Sequence, residues 1–117
     1  MTRTGVKYGV ALTAAALGAT VFGIAPASAS DSVTWSRNCS DDRTYVGYVD
    51  NHTATTTRKP DGNCTGLAYV RIKVQGSWGA WASSSSKAAR TSPVYEIEAS
   101  QHKDCNCSTA NIKTLYP

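Results

Sequence analysis

The chain has 117 residues, 41% of them hydrophobic and 17% charged, with 12 Lys/Arg against 8 Asp/Glu and a net charge of +4. That length fits one small domain and excludes a large enclosed core. Two of the basic residues, Arg3 and Lys7, stand in an N-terminal segment, and elsewhere no cluster is denser than Arg58-Lys59. The row of phosphate contacts that a sequence-independent nucleic-acid binder needs is therefore missing.

Residues 1–29 read as a secretory signal peptide. Arg3 and Lys7 form its basic start, residues 10–24 are an apolar run, and Ala25-Pro26 breaks that run before Ala27-Ser28-Ala29, a small-x-small cleavage site. The run is shorter than the about 20 apolar residues a membrane helix requires. The expected product is one extracellular domain, residues 30–117, with no membrane attachment after cleavage. Removing 29 of 117 residues leaves 88, a size at which a hydrophobic core scarcely outweighs the entropy of ordering the chain.

Cys39, Cys64, Cys105 and Cys107 all lie in that domain, and an even set in an oxidising compartment predicts disulfides. Three pairings are open. In an extended Cys105-Asn106-Cys107 the two Cα atoms stand about 6.6 Å apart along the strand, which suits a bridge poorly unless these residues turn. Crossed pairings are favoured, with the C-terminal segment tied to both Cys39 and Cys64. Each bridge would add about 2–4 kcal/mol.

In chain order, Val33 and Trp35 share one face of a first strand, or of a free N-terminal arm. Residues 44–49 set Tyr45, Gly47 and Val49 against Val46 and Tyr48, a second strand with apolar groups on both sides. The Thr-rich residues 51–58 predict an edge strand, and Lys59-Pro60-Asp61-Gly62-Asn63 a turn in which Pro presets φ and Gly takes the left-handed position.

The centre of the fold is residues 67–82. Ala68, Val70, Ile72 and Val74 fall on one face and Leu67, Tyr69, Arg71 and Lys73 on the other, a two-residue period that marks a half-buried strand. Gln75-Gly76-Ser77 then turns the chain into a second run, which if regular sets Trp78 on the face opposite Trp81. Residues 83–90 show no strand pattern and predict a mobile loop or a brief helical turn. Residues 94–100 alternate again, with Tyr95, Ile97 and Ala99 inward. Residues 101–104 predict a turn exposing His102, and residues 110–117 offer Ile112, Leu115 and Tyr116 for packing. Six or seven short strands without a helical period predict an all-β fold, a small disulfide-stapled β-sandwich or barrel.

Little in this set points to catalysis. His102 has metal-like spacing to Cys105 and Cys107, but disulfide formation claims those thiols, so neither metal nor cofactor is expected. His52 has no placed nucleophile, and Glu96 and Glu98 sit on one solvated strand rather than across a cleft. No catalytic residue is assigned. Trp78 fits a core position, while Trp81, beside Gly79, either forms a binding platform or covers a second layer. Val33, Trp35, Trp78 and Trp81 are the candidate partner-binding residues, the first two by adding a strand to a partner's sheet edge.

An Ala-rich export segment, a mature domain of 88 residues, four cysteines and Trp78-x-x-Trp81 on a β-hairpin resemble the small secreted proteins of filamentous Gram-positive bacteria. The layout is similar to that of the tendamistat-type amylase inhibitors, although their Trp-Arg-Tyr triplet is absent, and to that of lactococcin-type bacteriocins. It also resembles the small adaptor subunit of secreted umbrella toxin particles, which joins a lectin subunit to the repeats of a large toxin chain. These resemblances imply a non-enzymatic protein with other secreted proteins as partners. The expectation is a protein–protein interaction module, an adaptor or subunit of an extracellular antibacterial toxin complex. A stand-alone enzyme inhibitor, a bacteriocin and a carbohydrate-binding module are the alternatives.

Overall fold

The computed structural model describes residues 29–117; the expected signal peptide, apart from Ala29, lies outside the described residues. Those residues form nine β-strands in two antiparallel sheets, with no helix. Sheet one holds β1 (Ser30–Arg37), β2 (Arg43–Asp50), β3 (Thr53–Arg58) and β7 (Lys87–Thr91), in that spatial order. Sheet two is centred on β4 (Ala68–Val74). One side of β4 pairs with β8 (Ala99–Lys103), which pairs in turn with β9 (Ile112–Leu115). The other side pairs with both β5 (Ser77–Trp78) and β6 (Ala82–Ser84). The all-β, disulfide-stapled fold expected from the periodicity is the fold observed, with nine strands where six or seven were counted.

The core lies between the sheets. On β4, Ala68, Val70 and Ile72 are buried while Tyr69, Arg71 and Lys73 are half exposed, as the alternation predicts. They meet Val49, Ala54 and Ala88 of sheet one, and Ile97 and Leu115 close the cluster. Both predicted turns carry left-handed residues. Gly62 has φ +67°, and a Cβ there would collide with the Asp42 carbonyl. Gln75 (φ 51°) and Gly76 (φ 78°) make the two-residue β4–β5 loop, matching the twist that primed hairpin turns provide.

Five expectations are corrected. The Thr-rich strand β3 is interior, flanked by β2 and β7, not an edge. Residues 83–90 are strand residues joined by a tight turn, not a mobile loop: Ser84 Oγ accepts the Ser86 and Lys87 amides at 3.0 and 3.1 Å and closes the turn. The strand before the turn, β6, pairs with β4 and the strand after it, β7, pairs with β3, so this connection joins the two sheets along one side.

Residues 94–98 do not form a strand. Val94 and Tyr95 are exposed, only Ile97 of the apolar residues there is buried, and the Ile97 and Glu98 amides donate singly to Asn51 O and Lys73 O. Pro93, which cannot donate to a ladder, stands at the start of this stretch. The strand begins instead at Ala99 and runs through His102 and Lys103, which were expected in a turn.

The last correction concerns the disulfides, which are Cys39–Cys64 and Cys105–Cys107 rather than the crossed pairs. Cys105-Asn106-Cys107 is not extended; it bends after β8, with the two Cα atoms 5.4 Å apart. The tie expected of a crossed disulfide is made by a carboxylate. Asp104 is fully buried and accepts four donors: Trp35 Nε1 (2.9 Å), an Arg37 guanidinium nitrogen (3.0 Å), and the backbone amide (3.0 Å) and side-chain amide (2.8 Å) of Asn111. This one group fastens β1 to the segment between β8 and β9.

Candidate functional site

The exposed face of sheet two is built on the β4–β8 ladder. Tyr69 stands opposite Lys103 and Arg71 opposite Gln101, and Gln101 in turn faces Thr114 of β9. All five share one side of the sheet, since directly opposed residues point the same way.

The two tryptophans reach that side through a β-bulge. Lys73 pairs with Trp78 on β5, and Val70 pairs with Ala82 on β6. Between those pairs, two residues of β4 (Arg71 and Ile72) face three (Gly79, Ala80 and Trp81). One extra residue in a strand shifts the alternation by one, so Trp78 and Trp81, expected on opposite faces, lie on the same one. The Gly79 amide still donates to Ile72 O at 2.9 Å, which keeps the bulge attached to β4. Trp78 is therefore not a core residue; it is 36% exposed.

Arg71 sits against both rings, its guanidinium carbon 4.8 Å from the Trp78 centroid and 4.7 Å from the Trp81 centroid. Lys103 Nζ lies 4.2 Å from the Trp81 centroid and 5.2 Å from that of Tyr69. Rings and cations thus alternate as Trp78, Arg71, Trp81, Lys103, Tyr69. Arg71 is also oriented by hydrogen bonds, donating through two nitrogens to Gln101 Oε1 at 2.8 and 2.6 Å. Gln101 Nε2 donates onward to Thr114 Oγ1 at 3.2 Å. These partners are neutral, so the positive charge of the face is not cancelled. Among the described residues the one ion pair is Arg37–Asp104, on another part of the molecule.

Val33 and Trp35 are placed elsewhere. β1 pairs with β2 over its whole length, from Ser30 opposite Asp50 to Arg37 opposite Arg43. Val33 packs against the core, and Trp35, 8% exposed, stacks on Tyr45 at 5.7 Å with an interplanar angle of 16°. Their side chains face inward; what β1 offers outward is its free edge at the end of sheet one.

His102, expected on the surface, is the most informative residue that sequence reasoning misplaced. It is completely buried, with Nδ1 2.7 Å from Thr56 Oγ1 and Nε2 2.7 Å from Ser100 Oγ. Thr56 donates its single hydroxyl proton to Tyr69 O at 2.8 Å. It must then accept from Nδ1–H, which leaves Nε2 to accept the Ser100 proton. Burial lowers the His102 pKa to about 4, so the ring is neutral near pH 7. A Ser hydrogen-bonded to a His is the beginning of a nucleophile–base pair, but Ser100 and His102 are both 0% exposed and no substrate reaches them. Through its contact with Thr56 of β3, the His102 ring ties the two sheets together. Glu98 accepts the Gly76 amide at 3.2 Å, and the strand on which Glu96 and Glu98 were expected to lie together does not form.

No family model, no curated protein and no solved structure matches this chain.

Proposed function

We propose that this chain is a secreted, non-catalytic interaction module that docks on another extracellular protein through the outer face of sheet two. It serves there as an adaptor or subunit of a larger assembly, of the kind the umbrella toxin adaptors exemplify. The observation that carries this reading is Arg71 held between Trp78 and Trp81. Trp, Tyr and Arg dominate the energetics of protein interfaces. An arginine already fixed by stacking and by Gln101 loses little side-chain entropy when a partner arrives. The charge of Arg71, half-buried between the two rings and without a carboxylate partner among the described residues, favours an acidic partner surface.

Other features fit the same reading. Two disulfides in so small a domain suit an oxidising compartment, and the buried Ser100–His102 pair leaves no chemistry to assign. A sugar-stacking platform is less well served, because Trp81 already carries two cations against its ring. Strand addition at the open edge of β1 is compatible with docking by sheet two, since the surfaces belong to different sheets.

The test is purification of the full, tagged chain from the medium of the cells that produce it. Co-elution of a stoichiometric larger protein is expected. Recovery of the chain alone, together with inhibition of a secreted hydrolase or selective glycan binding, would replace this reading with one of its alternatives.

A further inference from the structure

A second site lies at the opposite side of the β4 edge, where the sandwich opens between β4–β5 and β7. A cleft of about 410 Å³ is walled there by Ile72, Val74, Trp78 and Ala80, with Arg90 on the far side. Arg90 pairs in register with the buried Ala54, so it points toward the interior from the outermost strand of sheet one. Its Nε is buried and has no hydrogen-bond acceptor, which among the described residues is true of no other buried side-chain nitrogen or oxygen. Nor does any carboxylate of the described residues approach Arg90 within ion-pair distance. A buried unpaired donor costs about 1–3 kcal/mol, and a guanidinium fork is shaped to hold a carboxylate by two parallel bonds.

From these observations we propose that the cleft is a binding site for an apolar carboxylate: the acid group rests on Arg90 and the apolar body lies against Ile72, Val74 and Trp78. The size fits, since ligand clefts run from about 300 Å³ upward and are mostly apolar with a few polar anchors. An inward charge on an outer strand also hinders unwanted edge pairing. That role needs only a charge, however, and leaves the buried, unpaired Nε unexplained. Both a free organic acid and the carboxy terminus of a polypeptide ending in an apolar residue present this chemistry. The cleft and the docking face meet at Trp78, but the anchoring Arg90 takes no part in the Trp78–Arg71–Trp81 stack.

The test is titration of the full chain, followed by amide and indole NMR shifts, with four probes: phenylacetate, phenylacetamide, N-acetyl-alanyl-phenylalanine and its C-terminal amide. Both acids should shift Thr91, Ser92 and the Trp78 indole, and each should bind at least about tenfold more tightly than its amide. Tighter binding of phenylacetate marks a free acid as the natural class, and tighter binding of the peptide acid marks a chain terminus. Arg90→Lys, which keeps the charge but not the fork, should weaken both about tenfold or more. Equal binding of acid and amide, or no shifts at millimolar concentration, would overturn the proposal using the unaltered protein alone. So would a folded Arg90→Lys variant that binds like wild type.

Discussion

Thr56 Oγ1 and His102 Nδ1 stand 2.7 Å apart across the interior, one from each sheet, and the histidine supplies the proton between them. This contact makes stability depend on pH in a defined window. The folded His102 titrates at about 4 because burial disfavours its charged form, whereas an unfolded histidine titrates near about 6.5. The unfolded chain therefore takes up the proton first as pH falls. Stability from this group is complete above about pH 6.5 and drains away as pH drops toward about 4, by about 3 kcal/mol. Urea unfolding across that range should show the slope, and His102→Gln should flatten it by about one proton. Asp50 and Asp61, whose pKa values are lowered by the amides that donate to them, act in a lower window. Their stabilisation is complete above the unfolded pKa of about 4 and is lost as pH falls on through their lowered folded values.

Asp104 should matter more than the disulfide beside it. Asp104→Ala leaves Trp35 Nε1, Arg37 and the Asn111 amides without their shared acceptor, and breaking such a buried pair costs about 3–5 kcal/mol. The Cys105–Cys107 bridge closes a loop only two residues apart in sequence, so chain entropy credits it with less than about 2 kcal/mol. Cys39–Cys64, at a separation of 25, should contribute about 3–4 kcal/mol. Denaturation midpoints of Asp104→Ala, the Cys105→Ser/Cys107→Ser double variant and Cys39→Ser/Cys64→Ser should rank accordingly, with the Cys105/Cys107 variant mildest. A Cys105/Cys107 variant less stable than Asp104→Ala would contradict this ordering.

The bulge yields a counter-intuitive expectation. Deleting Ala80 leaves two residues opposite Arg71 and Ile72 and makes the ladder regular, yet Trp78 and Trp81 stay on the outer face. The deletion should change stability by no more than about 1 kcal/mol and preserve the near-ultraviolet circular dichroism of the indoles. Inserting one residue there makes the separation of Trp78 and Trp81 even as well, so both indoles should again keep the outer face and that signal.

Gly47 tests how tightly His102 is seated. A Cβ at that position would lie 2.9 Å from the imidazole Cγ, and the ring, hydrogen-bonded at both nitrogens, has nowhere to retreat. Gly47→Ala should cost about 1–3 kcal/mol, as overpacked cores do, measurable as a drop in denaturation midpoint.

Much of the fold was legible where residue contrast was strong. The Ala68-Tyr69-Val70-Arg71-Ile72 alternation located β4, and Gly62 and Gly76 marked turns that only left-handed residues close. Strand β7 was hidden because its fully buried residue is the small Ala88, so apolar and polar sides barely differ. Burial of His102 was hidden too, because Gln101-His102-Lys103 reads as polar until Thr56 and Ser100 are known to satisfy the ring. The disulfide pairing turned on whether Cys105-Asn106-Cys107 bends, which local sequence left open. The common face of Trp78 and Trp81 depends on a single bulge residue, and a strict two-residue period cannot register that.

The decisive measurement is the affinity between the chain and the protein that co-purifies with it, for wild type and for Trp81→Ala. Both forms should first be shown to hold the two disulfides and the same far-ultraviolet spectrum. If the face built on Trp78, Arg71 and Trp81 is the docking surface, the loss should reach about 30-fold, equivalent to about 2 kcal/mol at an interface hot spot. Binding by the folded variant within about twofold of wild type would place the contact elsewhere on the molecule.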